Sequence, residues 1–167
     1  MSDSQKALAF LQTLLIPEGP KAGKPLKLAP FQRRFVRGAM KKSTDVAVLS
    51  VGRGNAKSAL SAGLALGSLM GEWDRQPRRE IVIAARTRDQ ASIVLQFARG
   101  FLAYMPEEVQ EQFTYRQNPR LELEYHGDGG EHMLRGIAAD SKNALGGSPT
   151  LCIMDERGHW PSDKGDD

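Results

Sequence analysis

The chain has 167 residues, 40% of them hydrophobic, which suits one ordinary domain with a single core. Its mean hydropathy is −0.43, and no apolar run approaches the ~20 residues of a membrane-spanning helix, so a soluble globular protein without a membrane partner is expected. The net charge of +3, from 23 basic against 20 acidic residues, permits a polyanionic partner without implying one.

The first nineteen residues, MSDSQKALAFLQTLLIPEG, lack a basic stretch ahead of their apolar run, which makes a poor secretory signal. They read as a short amphipathic helix closed by Pro17 and Gly19. Residues 17–30, PEGPKAGKPLKLAP, hold four prolines and two glycines and are expected to be irregular, an arm leading to the core. From Pro30 to Lys42 the spacing is helical. Phe31, Phe35, Val36, Ala39 and Met40 share one face, and Arg33, Arg37 and Lys41 line the other. That basic face is suited to DNA phosphates, although such faces are more often simply solvated.

Val46–Val51 reads as a strand and Lys57–Leu69 as a buried helix. Ile81–Ala85 is a second strand, and Asp89–Met105 a long helix stopped by Pro106. Leu121–Tyr125 and Met133–Ile137 form a hairpin through Gly127-Asp128-Gly129-Gly130. Along its first arm Glu122, Glu124 and His126 alternate and are expected to face solvent. Leu151–Asp155 is a last buried strand, with Cys152, the single cysteine, expected as a small buried hydrophobe. No disulfide is possible within the chain, which fits a reducing cytoplasm. Strands alternating with helices predict an α/β domain with a largely parallel central sheet flanked by helices. Residues 1–29 are expected as an N-terminal helix and arm, and 30–167 as the domain proper. Such sheets normally continue with more strands, so the chain reads as the N-terminal piece of a longer protein.

The chemistry sits at two places. Residues 46–58, VAVLSVGRGNAKS, run from an apolar strand through a Gly-rich turn into Lys-Ser and a helix. That is the layout of a phosphate-binding loop, G-x-x-x-x-G-K-[ST]. Val51 stands where the first Gly should be and Ala56 where the second should be, so the strict pattern fails. The mechanism survives. Gly52 and Gly54 let the backbone turn its N–H groups inward, with Arg53, Asn55 and Ala56 completing the cradle. Lys57 can reach the β/γ-phosphates and the Ser58 hydroxyl can enter a Mg²⁺ shell. Ala56 is strained if that position needs φ > 0. The alternative is a strand-to-helix turn with no ligand. About a hundred residues later, Leu-Cys-Ile-Met runs into Asp155-Glu156. A carboxylate at a strand's carboxyl end suits Mg²⁺, and the next one suits a base for an attacking water. Loop and acids together point to a nucleoside triphosphate with Mg²⁺.

Four segments in order resemble the ATPase domain of the large terminase subunit, the motor that packages DNA into tailed-phage heads and related gene-transfer particles. They are LAPFQRRFV, SVGRGNAKS, IVIAARTRDQA and LGGSPTLCIMDERGHWP. The resemblance implies a P-loop NTPase fold of the RecA/ASCE-like kind, ATP as the nucleotide, adenine recognition by Gln32, and a γ-phosphate contact by Arg53. It implies catalytic roles for Lys57 and Glu156 and Mg²⁺ binding by Ser58 and Asp155. Its partners would be double-stranded DNA, a portal protein and the small terminase subunit, in a homo-oligomeric ring in the host cytoplasm. The family's coupling motif and its nuclease domain would lie beyond Asp167. A helicase-like nucleic-acid-dependent ATPase and a degenerate nucleotide-binding assembly domain are the alternatives. His132 and His159 have no recognisable acid or nucleophile partner.

Overall fold

A computed structural model of the chain describes residues 1–138 and 148–155. Five helices and five strands follow in the order α1 (Asp3–Thr13), α2 (Pro30–Ala39), α3 (Lys57–Met70), β1 (Glu80–Ala85), α4 (Arg88–Leu102), α5 (Glu107–Gln110), β2 (Phe113–Arg116), β3 (Leu121–Tyr125), β4 (His132–Ala138) and β5 (Leu151–Met154). The strands make one sheet in the order β2-β3-β4-β1-β5. β1 pairs in parallel with β4 and β5, while β2, β3 and β4 pair antiparallel. The fold is therefore mixed α/β, parallel in the centre with an antiparallel flank.

Local chemistry explains most of the elements. Ser2 and Gln5 form a reciprocal cap on α1, and Thr87 and Gln90 do the same on α4. Pro30 opens α2, where its missing N–H costs nothing. Gly71, at φ +75°, closes α3, and the Glu72 N–H returns to the Gly67 carbonyl at 3.0 Å. Gly127 to Gly130 turn the β3–β4 hairpin as expected, with Gly129 at φ +77°.

One core joins Ala7, Leu11 and Leu14 of the N-terminal region, Leu60 to Leu69 of α3, Val94 to Phe101 of α4, and Ile81, Ile83, Leu123 and Leu134 of the sheet. The alternate sheet face carries Val82, Ala84, Arg135, Cys152 and Met154, none of which belongs to that core. Residues 1–29 pack into the same core. Leu15 and Pro25 form an antiparallel bridge, the Leu26 N–H bonds the Leu14 carbonyl at 2.8 Å, and Leu26 and Leu28 are buried.

Three expectations are corrected. Residues 46–51 form no strand; Val46 and Val48 are 80% and 82% exposed. Apolar, β-branched residues favour a pleat, but a strand exists only beside a ladder partner, and no described strand lies next to them. Cys152 is exposed because it points to the sheet face away from the described helices. Glu122 is buried instead of solvated, since β3 is an interior strand and Glu122 lies in register with Arg135 of β4. Arg135 pairs with Glu80, and the ion pair of Glu122 is to Arg120 at 3.9 Å. Strand β2 and the short helix α5 lay unread between Pro106 and Leu121.

Candidate nucleotide-binding site

The turn 51–56 delivers the chain into α3 through Ala56, which stands at the helix N-cap with φ 51° and ψ 36°. It is the one non-glycine residue at positive φ among those described. Gly54 turns beside it at φ +79°. No side chain caps α3, so the first-turn N–H groups remain aimed outward at the positive end of the helix dipole. Such a terminus binds anions.

Within the turn, Asn55 Nδ2 donates to the Gly52 carbonyl at 3.0 Å. Lys57 Nζ donates to the Val51 carbonyl at 3.1 Å, which parks the ammonium across the loop mouth. Ser58 is half-buried in the first turn, and Arg53 is exposed in the turn. Gln32 reaches the loop from α2, donating to the Asn55 carbonyl at 3.1 Å. Nothing in the sequence pairs residues 23 positions apart in this way; only the fold does.

Asp155 follows β5 directly, half-buried, its N–H bonded to the Ala84 carbonyl at 2.9 Å. Which end of α3 lies near it can be derived. Arg79, just before β1, places its Nε 2.9 Å from the Leu69 carbonyl in the last turn of α3. The carboxyl end of α3 therefore meets the amino end of β1, and the helix runs back along the sheet. Its 14 residues span roughly 21 Å, close to the roughly 20 Å of β1. The loop is thus carried to the carboxyl end of the parallel strands, where Asp155 sits and where open α/β sheets bind ligands. Glu156 and His159 lie outside the described residues.

Ser58 and Asp155 offer hard oxygen donors of the kind Mg²⁺ takes, and Lys57 with uncapped N–H groups suits a polyphosphate. The residues present therefore fit a magnesium nucleotide. Elsewhere the sheet's opposite end holds a polar cluster. Arg79 is buried; its Nη2 bonds Asp128 Oδ2 at 2.7 Å, its Nη1 bonds the Gln76 carbonyl at 2.9 Å, and its N–H bonds His132 Nδ1 at 3.0 Å. His132 Nε2 lies 2.6 Å from Asp128 Oδ1. Because Nδ1 accepts, Nε2 carries the proton and donates it to Asp128. His132 thus has an acid partner after all, four residues away across the turn.

A left-handed turn before Lys-Ser, an uncapped helix and an acid at the sheet's carboxyl end define an α/β nucleotide-binding domain of the P-loop class. A family model for the terminase large subunit, ATPase domain, matches residues 31–165, and the chain belongs to that family. It is 31% identical over 166 residues to the large terminase subunit of Enterobacteria phage HK97, covering 95% of this chain and 31% of that protein. The crystal structure of the HK97 bacteriophage large terminase matches with a TM-score of 0.80 at 31% identity, over 95% of this chain and 32% of that one. The chain spans about a third of the length of these relatives. No helix among the described residues is long and apolar enough to cross a membrane.

Proposed function

We propose that the chain is the ATP-hydrolysing motor domain of a large terminase subunit and drives double-stranded DNA into a viral or phage-like capsid. The observation that carries this is the loop: Ala56 adopts the left-handed region immediately before Lys57-Ser58 at an uncapped helix terminus. Membership of the terminase ATPase family supports the same reading.

Mg²⁺ would be held by Ser58 and Asp155 and would supply charge neutralisation to the phosphates. Lys57 leaves the Val51 carbonyl to meet the β/γ-phosphates. The backbone from Gly52 to Ala56 cradles the phosphate oxygens through its N–H groups. Arg53, exposed in the turn, would stabilise charge at the γ-phosphate, and Glu156 would take the proton of the attacking water. Little covalent work is asked of the protein; positioning and charge do most of it.

DNA would meet the exposed side of α2 and the turn after it, where Arg33, Arg34, Arg37, Lys41 and Lys42 are all exposed and none belongs to an ion pair among the described residues. Portal protein, small terminase subunit and further copies of this chain in a ring are the partners that the family relation suggests. The test is DNA-stimulated phosphate release. Lys57→Ala is expected to lower it by roughly a hundredfold or more and to weaken triphosphate binding strongly. Unchanged turnover in that variant would overturn the assignment of the loop.

A further inference from the structure

Gln32 lies in the first turn of α2, 5% exposed, with both ends of its amide engaged. Oε1 accepts the Ala29 N–H at 2.8 Å and closes the start of its own helix. Nε2 donates to the Asn55 carbonyl at 3.1 Å. The helix needs only the first bond. The second lands on the phosphate loop, and among the described residues no other hydrogen bond joins residues 51–56 to anything outside the loop and α3. Residues 46–50, which belong to no ladder, give the loop no such hold from the other side.

The choice of acceptor matters. A trans peptide points its C=O and N–H in opposite directions. Anchoring the Asn55 carbonyl on the α2 side turns the Ala56 N–H the other way. The next residue, Ala56, holds φ +51°, a conformation that an L-residue abandons unless its neighbours fix it. The bond from Gln32 fixes the peptide directly before it.

We propose that Gln32 is a positioning residue of the phosphate loop. Its amide clamps the Asn55–Ala56 peptide and so presents the loop N–H groups and Lys57 to the phosphates, whatever base the nucleotide carries. This rests on the phosphate-loop reading given above. It differs from the adenine contact that the family resemblance implies: the amide is 5% exposed, with one acceptor site committed to Ala29 and one donor to Asn55.

The test is equilibrium binding of three probes with Mg²⁺: ATP, GTP and inorganic tripolyphosphate, which has no base. Gln32→Glu keeps the acceptor for Ala29 and loses the donor to Asn55, so α2 retains its cap. Affinity for all three probes is expected to fall by a similar factor, on the order of tenfold. In a Lys57→Ala background the same change is expected to add little, since both act through one grip on phosphate. A loss for ATP with tripolyphosphate unchanged would overturn the proposal in favour of base reading. Losses that simply add in the double variant would overturn it in favour of a general loss of structure. A wild-type chain that binds none of the three probes would instead remove the phosphate-loop reading itself, before any variant is compared.

Discussion

Ala56 carries its methyl in the left-handed region, where Cβ crowds the backbone at a cost of roughly 1–2 kcal/mol. Glycine there would remove the strain, while its extra freedom in the unfolded chain takes back about 0.4–1 kcal/mol. Ala56→Gly is therefore expected to leave the melting temperature within a few degrees and nucleotide affinity equal or better. A large loss of either would show that the methyl itself is needed. The residue types of the loop were legible in the sequence despite the missing glycines, but the φ of Ala56 was not, because identity constrains backbone angles without setting them. The two acids should separate. Asp155→Ala is expected to weaken Mg²⁺-dependent binding, whereas Glu156→Gln keeps binding and loses hydrolysis, since only the base is removed. Titration calorimetry beside phosphate release distinguishes them, and normal turnover by Glu156→Gln would assign the base elsewhere. Glu122 marks the limit of residue-level reading. Alternation correctly grouped it with Glu124, but its burial depended on β3 lying between β2 and β4, which only strand pairing sets.

Helix α3 shows why periodicity alone undersells an element. Its sequence, KSALSAGLALGSLM, read as buried, and ten of its residues are. What the pattern did not reveal is the use of its glycines. A Cβ on Gly63 would come within 2.5 Å of Leu11 Cδ2, and one on Gly67 within 2.4 Å of the Trp73 ring and 2.7 Å of Phe10. The two glycines form a groove that admits α1 and the ring of Trp73, so the helix that carries the phosphate loop is seated against the N-terminal region. Gly67→Ala is expected to lower stability by about 1 kcal/mol, overpacking of roughly 1–3 kcal/mol being partly offset by helix propensity. Gly38 in α2 meets nothing within 4 Å, so Gly38→Ala should raise stability by roughly 0.5–1 kcal/mol. Thermal melts of the pair test this, and a destabilised Gly38→Ala beside an unaffected Gly67→Ala would refute the groove. On α2 itself, Arg34→Glu with Arg37→Glu is expected to weaken DNA binding and to flatten its salt dependence by roughly one unit of slope per lost contact. Filter binding across a salt series would show it; an unchanged slope would mean the face is only solvated.

At the scale of the molecule, the sheet was legible as far as its order of elements. β1, β3, β4, β5 and the helices α1 to α4 fall within a few residues of the sequence reading, since apolar runs and turn chemistry coincide there. Residues 46–50 fail for the complementary reason: strand chemistry without a neighbour gives no ladder. The polar cluster at the amino end of β1 was illegible because Arg79 and Asp128 stand 49 residues apart. It ties three elements together, since Arg79 bonds the last turn of α3, the hairpin Asp128 and, through its N–H, His132 on β4. Partial burial pulls the Asp128 carboxyl upward, but hydrogen bonds from Arg79, His132 and the Gly130 N–H outweigh it and hold the group well below the usual carboxylate range. A carboxylate with a depressed folded-state value stabilises above its unfolded value, near ~3.9, and that stability drains away as pH falls below it. Asp128 is 41% exposed, so solvent screening limits its share to about 1 kcal/mol. Asp128→Asn is accordingly expected to lower the melting temperature by about 2–4 °C at neutral pH. The gap from wild type should narrow progressively as pH drops below about 4, because the unfolded chain then takes up a proton that the folded Asp128 still refuses. A gap that persists unchanged at pH 3 would show that the charge of Asp128 does not hold the hairpin to α3.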